Sequence, residues 1–212
     1  MGNQQENETL AKMAYVIGFF LGDGGLYRQL DRDAYRIHFT KMDIECLEAV
    51  MHVLGRKTIR KHGSSFRIEY YGKDLYEFLA FNTEFRTVVP YQYITASEHV
   101  VKELVAGLMD SDGSVTHTES EGYDRWQLSF TNTERKLMEA MQHFLRKSGV
   151  DAGKITTVAN PGHRMVMHIR PNLKQFAERG FYFRNLRKMQ RLNDYMQKVH
   201  ASETLYAAPS LG

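Results

Sequence analysis

Two aspartates, Asp23 and Asp112, carry the chemistry that the sequence suggests most clearly. Each ends an apolar stretch and is followed by glycine, in YVIGFFLGDG for the first and LVAGLMDSDG for the second. Hard divalent cations bind oxygen ligands, and a phosphodiester contributes further oxygens when a nucleic acid shares the cation. Two such carboxylates side by side would therefore suit metal-dependent hydrolysis of two phosphodiester strands, with Mg²⁺ or Mn²⁺ as the cofactor.

The stretches before these aspartates are predicted to be two helices that pack on each other along a seam. Small residues recur at a spacing of four, so that they share one helix face and let the backbones approach: Gly18, Gly22, Gly107 and Ser111. The following glycines, Gly24 and Gly113, are predicted to end the helices through a positive φ. This packing would set the two aspartates side by side at one end of the seam.

The rest of the chain is an internal repeat. After each aspartate come two strand-like segments, a helix, a second hairpin and another helix, and the copies match position by position: Phe39-Thr40 with Phe130-Thr131, and Phe85-Arg86 with Phe183-Arg184. We therefore predict two α/β units related by a pseudo-two-fold axis. Their predicted bounds are a first repeat at residues 9–86, a linker at 87–97, a second repeat at 98–200, and flexible tails at 1–8 and 201–212.

Composition sets broad limits on the class of protein. The chain has 212 residues, 42% of them hydrophobic, and a formal net charge of +3, which permits an anionic partner without identifying one. A single cysteine, Cys46, excludes an intramolecular disulfide and a Cys-rich zinc site. The N-terminal residues contain no basic n-region, and no apolar run approaches a membrane span. We expect an intracellular protein without a membrane partner.

The predicted strands alternate apolar and polar residues, which gives each sheet a core face and a polar face. Polar side chains at period-two spacing can reach base edges and phosphates of DNA from a β-ribbon. The candidates for DNA contact are Tyr27, Gln29, Arg36, His38, Arg67, Glu69, Tyr71, Thr116, Thr118, Gln127, Ser129, Arg164, His168 and Arg170.

The two motifs resemble those of the LAGLIDADG homing endonuclease family in its single-chain form. The first copy reads VIGFFLGDG at residues 16–24 and the second VAGLMDSDG at residues 105–113. The resemblance covers about residues 10–200. It implies an α+β fold of two pseudo-symmetric αββαββα halves that meet at a two-helix interface and carry saddle-shaped antiparallel sheets. It further implies a monomer that cuts double-stranded DNA across the minor groove and leaves short 3′ overhangs.

The same resemblance implies roles for individual residues. Asp23 and Asp112 match the metal-binding aspartates of the family, and the carbonyls of Gly22 and Ser111 match supporting ligands. Lys41 and Asn132 fall where the family has polar residues that organise water in the active site. A basic residue near each site is also expected, and the candidates here are Arg86, Arg187 and Lys188, of which Lys188 is our choice.

Three other interpretations remain. Residues 110–121 approach the register of a calcium-binding EF-hand loop, but Val115 replaces the glycine that the sharp turn needs. An RNA maturase that assists an intron, or a DNA-binding regulator that does not cut, would share the scaffold. The presence of both aspartates argues against the regulator, since a binder has no use for two acids that face phosphates. Asp110 faces Leu21 in the motif alignment and is interpreted as structural.

Overall fold

The chain folds into two halves that share one order of elements, and the second half adds a C-terminal helix. The computed structural model describes residues 2–207 apart from Leu30, Arg32, Lys57 and 159–165. The first half contains α1 (Gly2–Asp23), β1 (Gly24–Gln29), β2 (Ala34–Lys41), α2 (Ile44–Val53), β3 (Arg60–His62), β4 (Ser65–Tyr71) and α3 (Lys73–Asn82). A short helix, α4 (Tyr91–Ile94), precedes the second half, which contains α5 (Glu98–Asp112), β5 (Gly113–Ser120), β6 (Tyr123–Asn132), α6 (Arg135–Lys147), β7 (Thr156–Val158), β8 (Val166–Ile169), α7 (Leu173–Glu178) and α8 (Leu186–Ala207).

Each half contains one four-stranded antiparallel sheet, and the two sheets have the same topology. Their strand orders are β1-β2-β4-β3 and β5-β6-β8-β7. In β2 the buried residues Tyr35, Ile37 and Phe39 alternate with partly exposed ones, as the sequence predicted. Helices α2 and α3 pack against this buried face. The opposite surface, which we call the outer face of each sheet, is left to solvent. The predicted α+β fold of two αββαββα halves is confirmed.

The centre of the molecule is the contact between α1 and α5. Helix α5 is buried over most of its length and α1 over residues 14–21, and their apolar side chains form one continuous core with the two sheets. The largest of these side chains include Tyr15, Phe19 and Phe20 from α1. Burial of such aromatic side chains stabilises the folded state by roughly 1.5 to 3 kcal/mol each. The seam therefore joins the halves into one core.

The ends of the chain differ from the sequence prediction. Residues 2–8, predicted as a flexible tail, form the first turns of α1, and residues 201–207 continue α8. Contacts with the second half explain the longer α1: the Ser97 hydroxyl donates to Asn7 Oδ1 at 3.1 Å, and Glu8 lies 3.7 Å from His99. Met1 and residues 208–212, the remainder of the predicted tails, lie outside the described residues. None of the described helices combines the length and the apolar character that a membrane span requires.

Gly24 and Gly113 end the seam helices for a reason other than the one predicted. Neither has a positive φ, and the φ of Gly113 is −85°. A Cβ would lie 2.6 Å from the Phe20 carbonyl oxygen at Gly24 and 2.5 Å from the Met109 carbonyl oxygen at Gly113. Glycine is needed because the chain turns back against the last helical turn, where only a hydrogen atom fits.

Candidate active site

The seam brings two backbones into direct contact. A Cβ at Gly18 would lie 2.2 Å from the carbonyl oxygen of Leu104, and a Cβ at Gly107 would lie 2.2 Å from that of Tyr15. Real Cβ atoms do not approach other atoms so closely, so both positions require glycine as long as the helices keep this distance. Asp23 and Asp112 end the two helices and therefore lie at the same end of the seam.

One turn closer to the aspartates, a serine fills the space beside a glycine. A Cβ at Gly22 would lie 2.1 Å from Ser111 Oγ and 2.9 Å from Asp112 Oδ2. The Ser111 hydroxyl donates to the Leu108 carbonyl at 2.8 Å, which directs the side chain along its own helix. Asp112 of the second half thus lies directly against the backbone of the first half.

Lys41, the last residue of β2, links the two halves at the aspartates. Its Nζ donates to Asp23 Oδ2 at 2.5 Å and to the Ser111 carbonyl oxygen at 2.8 Å. Strand β2 runs antiparallel to β1, which follows Asp23, and Gly24 pairs with Phe39. This register returns the end of β2 to the end of α1 and accounts for the position of Lys41.

Asn132, the last residue of β6, has the equivalent position in the second half. Its Nδ2 donates to Asp112 Oδ2 at 2.6 Å, and its Oδ1 accepts from the Glu134 backbone N–H at 2.7 Å. The second bond fixes the orientation of the amide. Burial raises the pKa of Asp112 and the charge of Asp23 adds to this, while the bond from Asn132 lowers it. The carboxylate therefore lies where a positive charge would stabilise it.

Basic side chains reach the C-terminal ends of both seam helices. Arg86 Nη2 donates to the carbonyl oxygens of Leu21, at 3.2 Å, and Gly22. Lys188 Nζ donates to those of Met109 and Asp110, at 2.8 and 2.7 Å. These carbonyls lie in the last turn of each helix, at the negative end of the helix dipole, so cations are favoured there.

The structure distinguishes the three candidates for the basic residue near each site by their positions. Arg86 and Lys188 lie at the helix ends, whereas Arg187 forms an exposed pair with Asp43 at 3.0 Å. Burial, with the charge of Lys41, lowers the pKa of Lys188 to about 8. Burial also lowers the pKa of Arg86, while Asp112 and Asp23 oppose the shift. Arg86 lies in a segment where Glu84, Phe85 and Arg86 all have positive φ.

Asp110 has a structural environment. It is fully buried and accepts hydrogen bonds from the Tyr15 hydroxyl at 2.9 Å and from the backbone N–H groups of Arg184 and Asn185 at 2.9 and 3.1 Å. These bonds fix the segment before α8 against both seam helices. The calcium-loop interpretation is wrong, because residues 113–120 form strand β5 instead of a loop.

The oxygen atoms at the seam end fit a hard divalent cation. Two carboxylates and the carbonyls of Gly22 and Ser111 are all oxygen donors, the ligand type that Mg²⁺ and Mn²⁺ favour. In the structure, oxygens of this set already accept hydrogen bonds from the cationic groups of Lys41 and Arg86. Within the described part of the chain, no group of three or more His, Cys, Asp or Glu side chains could hold a metal. Main-chain carbonyls and substrate oxygens would have to complete the coordination.

Comparison with known proteins supports the relationship that the two motifs predicted. Residues 99–179 match the model of the LAGLIDADG-like domain. The second half of the chain therefore contains a LAGLIDADG-like domain over these residues. The predicted resemblance is confirmed, and the seam helix α5 lies almost entirely within the matched residues. No curated protein matches the chain in sequence.

Solved LAGLIDADG structures share the fold of most of the chain. A variant of I-DmoI in complex with its target DNA in the presence of manganese is 19% identical, with a TM-score of 0.58 over 80% of this chain and 93% of that chain. I-DmoI in complex with DNA and calcium gives 19% and 0.56 over 80% and 87%. The meganuclease I-SmaMI bound to uncleavable DNA gives 15% and 0.54 over 92% and 93%. At these identities, the comparisons show a common fold.

Most of the predicted DNA contacts lie on the outer faces of the two LAGLIDADG sheets. On the first sheet, Tyr27, Arg36 and Tyr71 lie side by side across three strands, as do Gly25, His38 and Glu69. Arg36 Nη1 donates to Glu69 Oε1 at 3.3 Å and its guanidinium lies 4.6 Å from the centre of the Tyr27 ring. Gln29 is at the end of β1, and Arg67 donates to the Thr40 hydroxyl at 3.0 Å.

The outer face of the second LAGLIDADG sheet is rich in hydroxyl groups. Thr116 pairs with Gln127, Ser114 with Ser129, and Thr118 with Arg125. His168 lies beside Thr131, with 2.7 Å between Nδ1 and Oγ1. Arg170 is exposed one residue beyond β8. Arg164, the remaining candidate, lies outside the described residues.

Sequence reasoning missed a group of basic residues beside the first LAGLIDADG sheet. Arg56, Arg60, Lys61 and His62 line a cavity of about 560 Å³ together with Arg67. The signal was present as the basic run RKTIRKH at residues 56–62. It was overlooked because β3 has only three residues, too few for a period-two pattern to stand out.

Proposed function

We propose that the protein is a site-specific homing endonuclease that hydrolyses phosphodiester bonds on both strands of a long DNA site and leaves short 3′ overhangs. The observation that carries this proposal is the pairing of Asp23 and Asp112 at one end of the LAGLIDADG seam. Two carboxylates against each other are unfavourable unless a cation compensates them. The sheets on either side expose polar faces, which fits a duplex that spans both halves.

Properties of the structural relatives support the proposal. I-DmoI has been crystallised in complex with its target DNA together with manganese or calcium, and I-SmaMI is a meganuclease bound to DNA. Those statements concern the relatives. Their extension to this chain rests on the common fold and on the presence of an aspartate at the end of each LAGLIDADG helix. Because one chain provides both halves, we propose that a monomer binds the whole site.

The proposed roles follow from the contacts at the seam. Asp23 and Asp112, with the carbonyls of Gly22 and Ser111, would hold Mg²⁺ or Mn²⁺. When bound, the metal supplies Lewis-acid activation of the phosphate and lowers the pKa of its water. Lys41 would neutralise charge that develops on the phosphate next to Asp23.

The remaining polar side chains have positioning roles in this proposal. Asn132 holds the Asp112 carboxylate in one orientation through a donor that is itself fixed by Glu134. Lys188 and Arg86 stabilise the helix ends that present the two aspartates. Arg86 has further N–H groups that could donate hydrogen bonds to a phosphate oxygen, because a guanidinium has five donors in a fixed plane.

Cleavage of a randomised duplex library tests the proposal. Incubation with Mg²⁺, followed by sequencing of the cut ends, should recover one long consensus with staggered 3′ ends, and chelation with EDTA should abolish the products. Cutting without sequence preference, or cutting that survives EDTA, would contradict the assignment. If the protein selects and binds a duplex but leaves both strands intact under Mg²⁺ and Mn²⁺, it is the non-cutting regulator instead.

A further inference from the structure

Three exposed apolar side chains lie beside the end of the seam that carries the two aspartates. They are Phe85, which is 66% exposed, Met42, which is 66% exposed, and Leu186, which is 69% exposed. Each lies within two residues of a lysine or arginine that contacts this end of the seam. Single exposed apolar side chains are common on protein surfaces, but these three surround a group of charged side chains. We call Phe85 the first apolar flank, and Met42 with Leu186 the second.

The first apolar flank lies between elements that contact both aspartates. Arg86, the residue after Phe85, reaches the end of α1. Glu84, the residue before it, accepts from Lys136 Nζ at 2.9 Å. Lys136 is the second residue of α6, which follows the strand whose last residue contacts Asp112. Phe85 is therefore placed where one half meets the other beside the two carboxylates.

The second apolar flank has the equivalent position on the other side. The backbone N–H of Leu186 donates to Glu45 Oε1 at 2.8 Å, and Lys188, two residues later, reaches the end of α5. Glu45 is the second residue of α2, which matches the contact of the first flank with the second residue of α6. Met42 directly follows Lys41, which contacts the aspartate of the first half. The two flanks thus lie at pseudo-symmetric places around the carboxylates.

The first flank is held in an unfavourable backbone conformation. Glu84, Phe85 and Arg86 have φ values of 45°, 54° and 79°, a region that bulky side chains rarely adopt. Hydrogen bonds hold them there: the Phe85 N–H donates to the Ala80 carbonyl and the Arg86 N–H to the Thr83 hydroxyl, each at 3.0 Å. Strained residues that their surroundings keep in place are concentrated at functional sites. An exposed phenylalanine in such a segment indicates a contact with a molecule outside the protein.

The chemistry of that molecule follows from the position of the flanks. Two phosphates that reach the aspartates bring their own sugars to the same place. The sugar is the apolar neighbour of a backbone phosphate, because deoxyribose has only C–H groups at the 2′ carbon where ribose has a hydroxyl. A hydroxyl that is buried against apolar side chains without a hydrogen-bond partner is unfavourable.

We propose that the two apolar flanks pack on the deoxyribose rings next to the two reacting phosphates and so select DNA against ribose at these nucleotides. This inference rests on the proposed function and names residues that determine the sugar specificity of the same site. The first flank acts at one cut strand and the second flank at the other. Rejection of an added hydroxyl by an apolar surface reaches about 100-fold.

Substrates with a single altered sugar test the inference. Duplexes that carry the selected site receive one ribonucleotide, or one 2′-fluoro-2′-deoxynucleotide, at the positions on either side of each cut. Single-turnover cleavage of the altered strand by the wild-type protein should be about 10- to 100-fold slower with ribose than with deoxyribose. The 2′-fluoro sugar shares the conformation of ribose but has no hydroxyl, so we expect it to be cut at nearly the rate of DNA.

Variants of each flank should lose this discrimination at one strand only. Phe85→Asn provides a partner for the hydroxyl, and asparagine adopts positive φ more readily than phenylalanine. The double variant Met42→Thr, Leu186→Asn changes the second flank in the same way. Both should cut the ribose-containing strand at close to their own rate on DNA, one variant at each strand. We expect Phe85→Asn to melt at the same temperature as the wild type or higher, because it relieves backbone strain.

The matched control is Tyr91→Asn, which replaces an aromatic side chain that is 77% exposed on α4. Helix α4 precedes the start of α5, whereas the aspartates lie at the ends of the seam helices. The control should keep the discrimination of the wild type at both strands.

The outcomes distinguish this inference from the proposed function. If the wild-type protein cuts its site but accepts ribose at these positions, or rejects the 2′-fluoro sugar as strongly, the role of the flanks is wrong and the nuclease assignment stands. The same holds if both flank variants keep the discrimination of the wild type. A much lower melting temperature of Phe85→Asn would show that the ring packs on the protein instead, which overturns the inference for the first flank. If the wild-type protein cuts no duplex, the proposed function fails and the inference fails with it.

Discussion

At the scale of single residues, the two halves perform equivalent tasks with different side chains. Lys41 and Asn132 each contact the aspartate of their own half, one with a charge and the other with an amide. Arg86 and Lys188 likewise occupy the two helix ends. The pseudo-symmetric backbone therefore does not make the two sites chemically identical, and each aspartate has its own electrostatic environment.

Removal of either aspartate charge should separate cutting from binding. We expect Asp23→Asn and Asp112→Asn each to lower double-strand cleavage by about 100-fold or more, because each loses a carboxylate that stabilises charge at the reacting phosphate. Affinity for the site should stay the same or rise, since one negative charge that faces phosphates disappears. Single-turnover cleavage and binding isotherms measure the two effects.

The control for these variants is Asp194→Asn, the same chemical change at an exposed position of α8. It should leave the cleavage rate unchanged. Cutting of both strands at the wild-type rate by either motif variant would contradict the assignment of that aspartate.

Burial of Lys188 should make the free energy of unfolding depend on pH. Its pKa is about 8 in the folded protein, against 10.5 for a lysine side chain in water, so the unfolded chain binds more protons between these values. The free energy of unfolding therefore rises with pH in that window, and the cost of the buried charge is fully present below about pH 8. Relative to Lys188→Met, the wild type should gain at most about 3 kcal/mol from pH 7.5 to 10.5.

Urea denaturation at several pH values measures this difference. Lys12→Met, a change at an exposed position, serves as the control and should show a nearly constant offset from the wild type. A constant offset for Lys188→Met as well would mean that the Lys188 ammonium is not destabilised by burial.

At the scale of elements, the seam depends on which atoms face each glycine. Gly18 faces the backbone of α5, which cannot move without moving the whole helix, whereas Gly22 faces the side chain of Ser111. We expect Gly18→Ala and Gly107→Ala to lower the free energy of unfolding by about 3 kcal/mol, the upper end of typical overpacking costs. Cleavage should fall further than binding, because the aspartates move apart.

A double variant distinguishes the two kinds of contact. Ser111→Gly should restore much of the stability lost in Gly22→Ala, since it removes the side chain that the new methyl group meets. The same Ser111→Gly change should not rescue Gly18→Ala. Thermal melts of all four variants test this, and a Gly18→Ala protein as stable as the wild type would show that the helices do not touch through their backbones.

Much of the element pattern could be predicted from sequence. Alternation in strands such as β2 and the internal repeat predicted two α/β units and the paired aspartates, and the family resemblance implied the αββαββα order of each half. The starts and ends of helices were harder to predict from sequence, because α1 is extended by contacts of Asn7 and Glu8 with residues about 90 positions away. The choice among Arg86, Arg187 and Lys188 and the cavity of basic residues beside the first sheet also depended on tertiary contacts that no local pattern contains.

At the scale of the whole molecule, the halves share one core and should unfold together. The only tryptophan, Trp126, lies in the second half, where its ring stacks on His117 at 3.9 Å between centroids. Its fluorescence therefore reports on the second half, while far-ultraviolet circular dichroism reports on both. We expect the two urea transitions to have the same midpoint and slope.

Separate transitions would show that the seam does not couple the halves. The variant Gly107→Ala provides a comparison, because a weakened seam should make the two transitions diverge before it abolishes folding. Coincidence in the wild type and divergence in the variant would together assign the coupling to the contact between α1 and α5.

Direct contact between main chains at Gly18 and Gly107 also affects how such a protein can evolve. Because the backbones touch, covalent backbone dimensions set the distance between the helix ends. Substitutions elsewhere in the chain leave this distance unchanged. Strand side chains on the outer faces lie far from this contact and can be replaced one at a time. If the outer faces read DNA and the seam end cuts it, as proposed above, a lineage can change its target sequence through substitutions on the sheets while the spacing of the two aspartates stays the same.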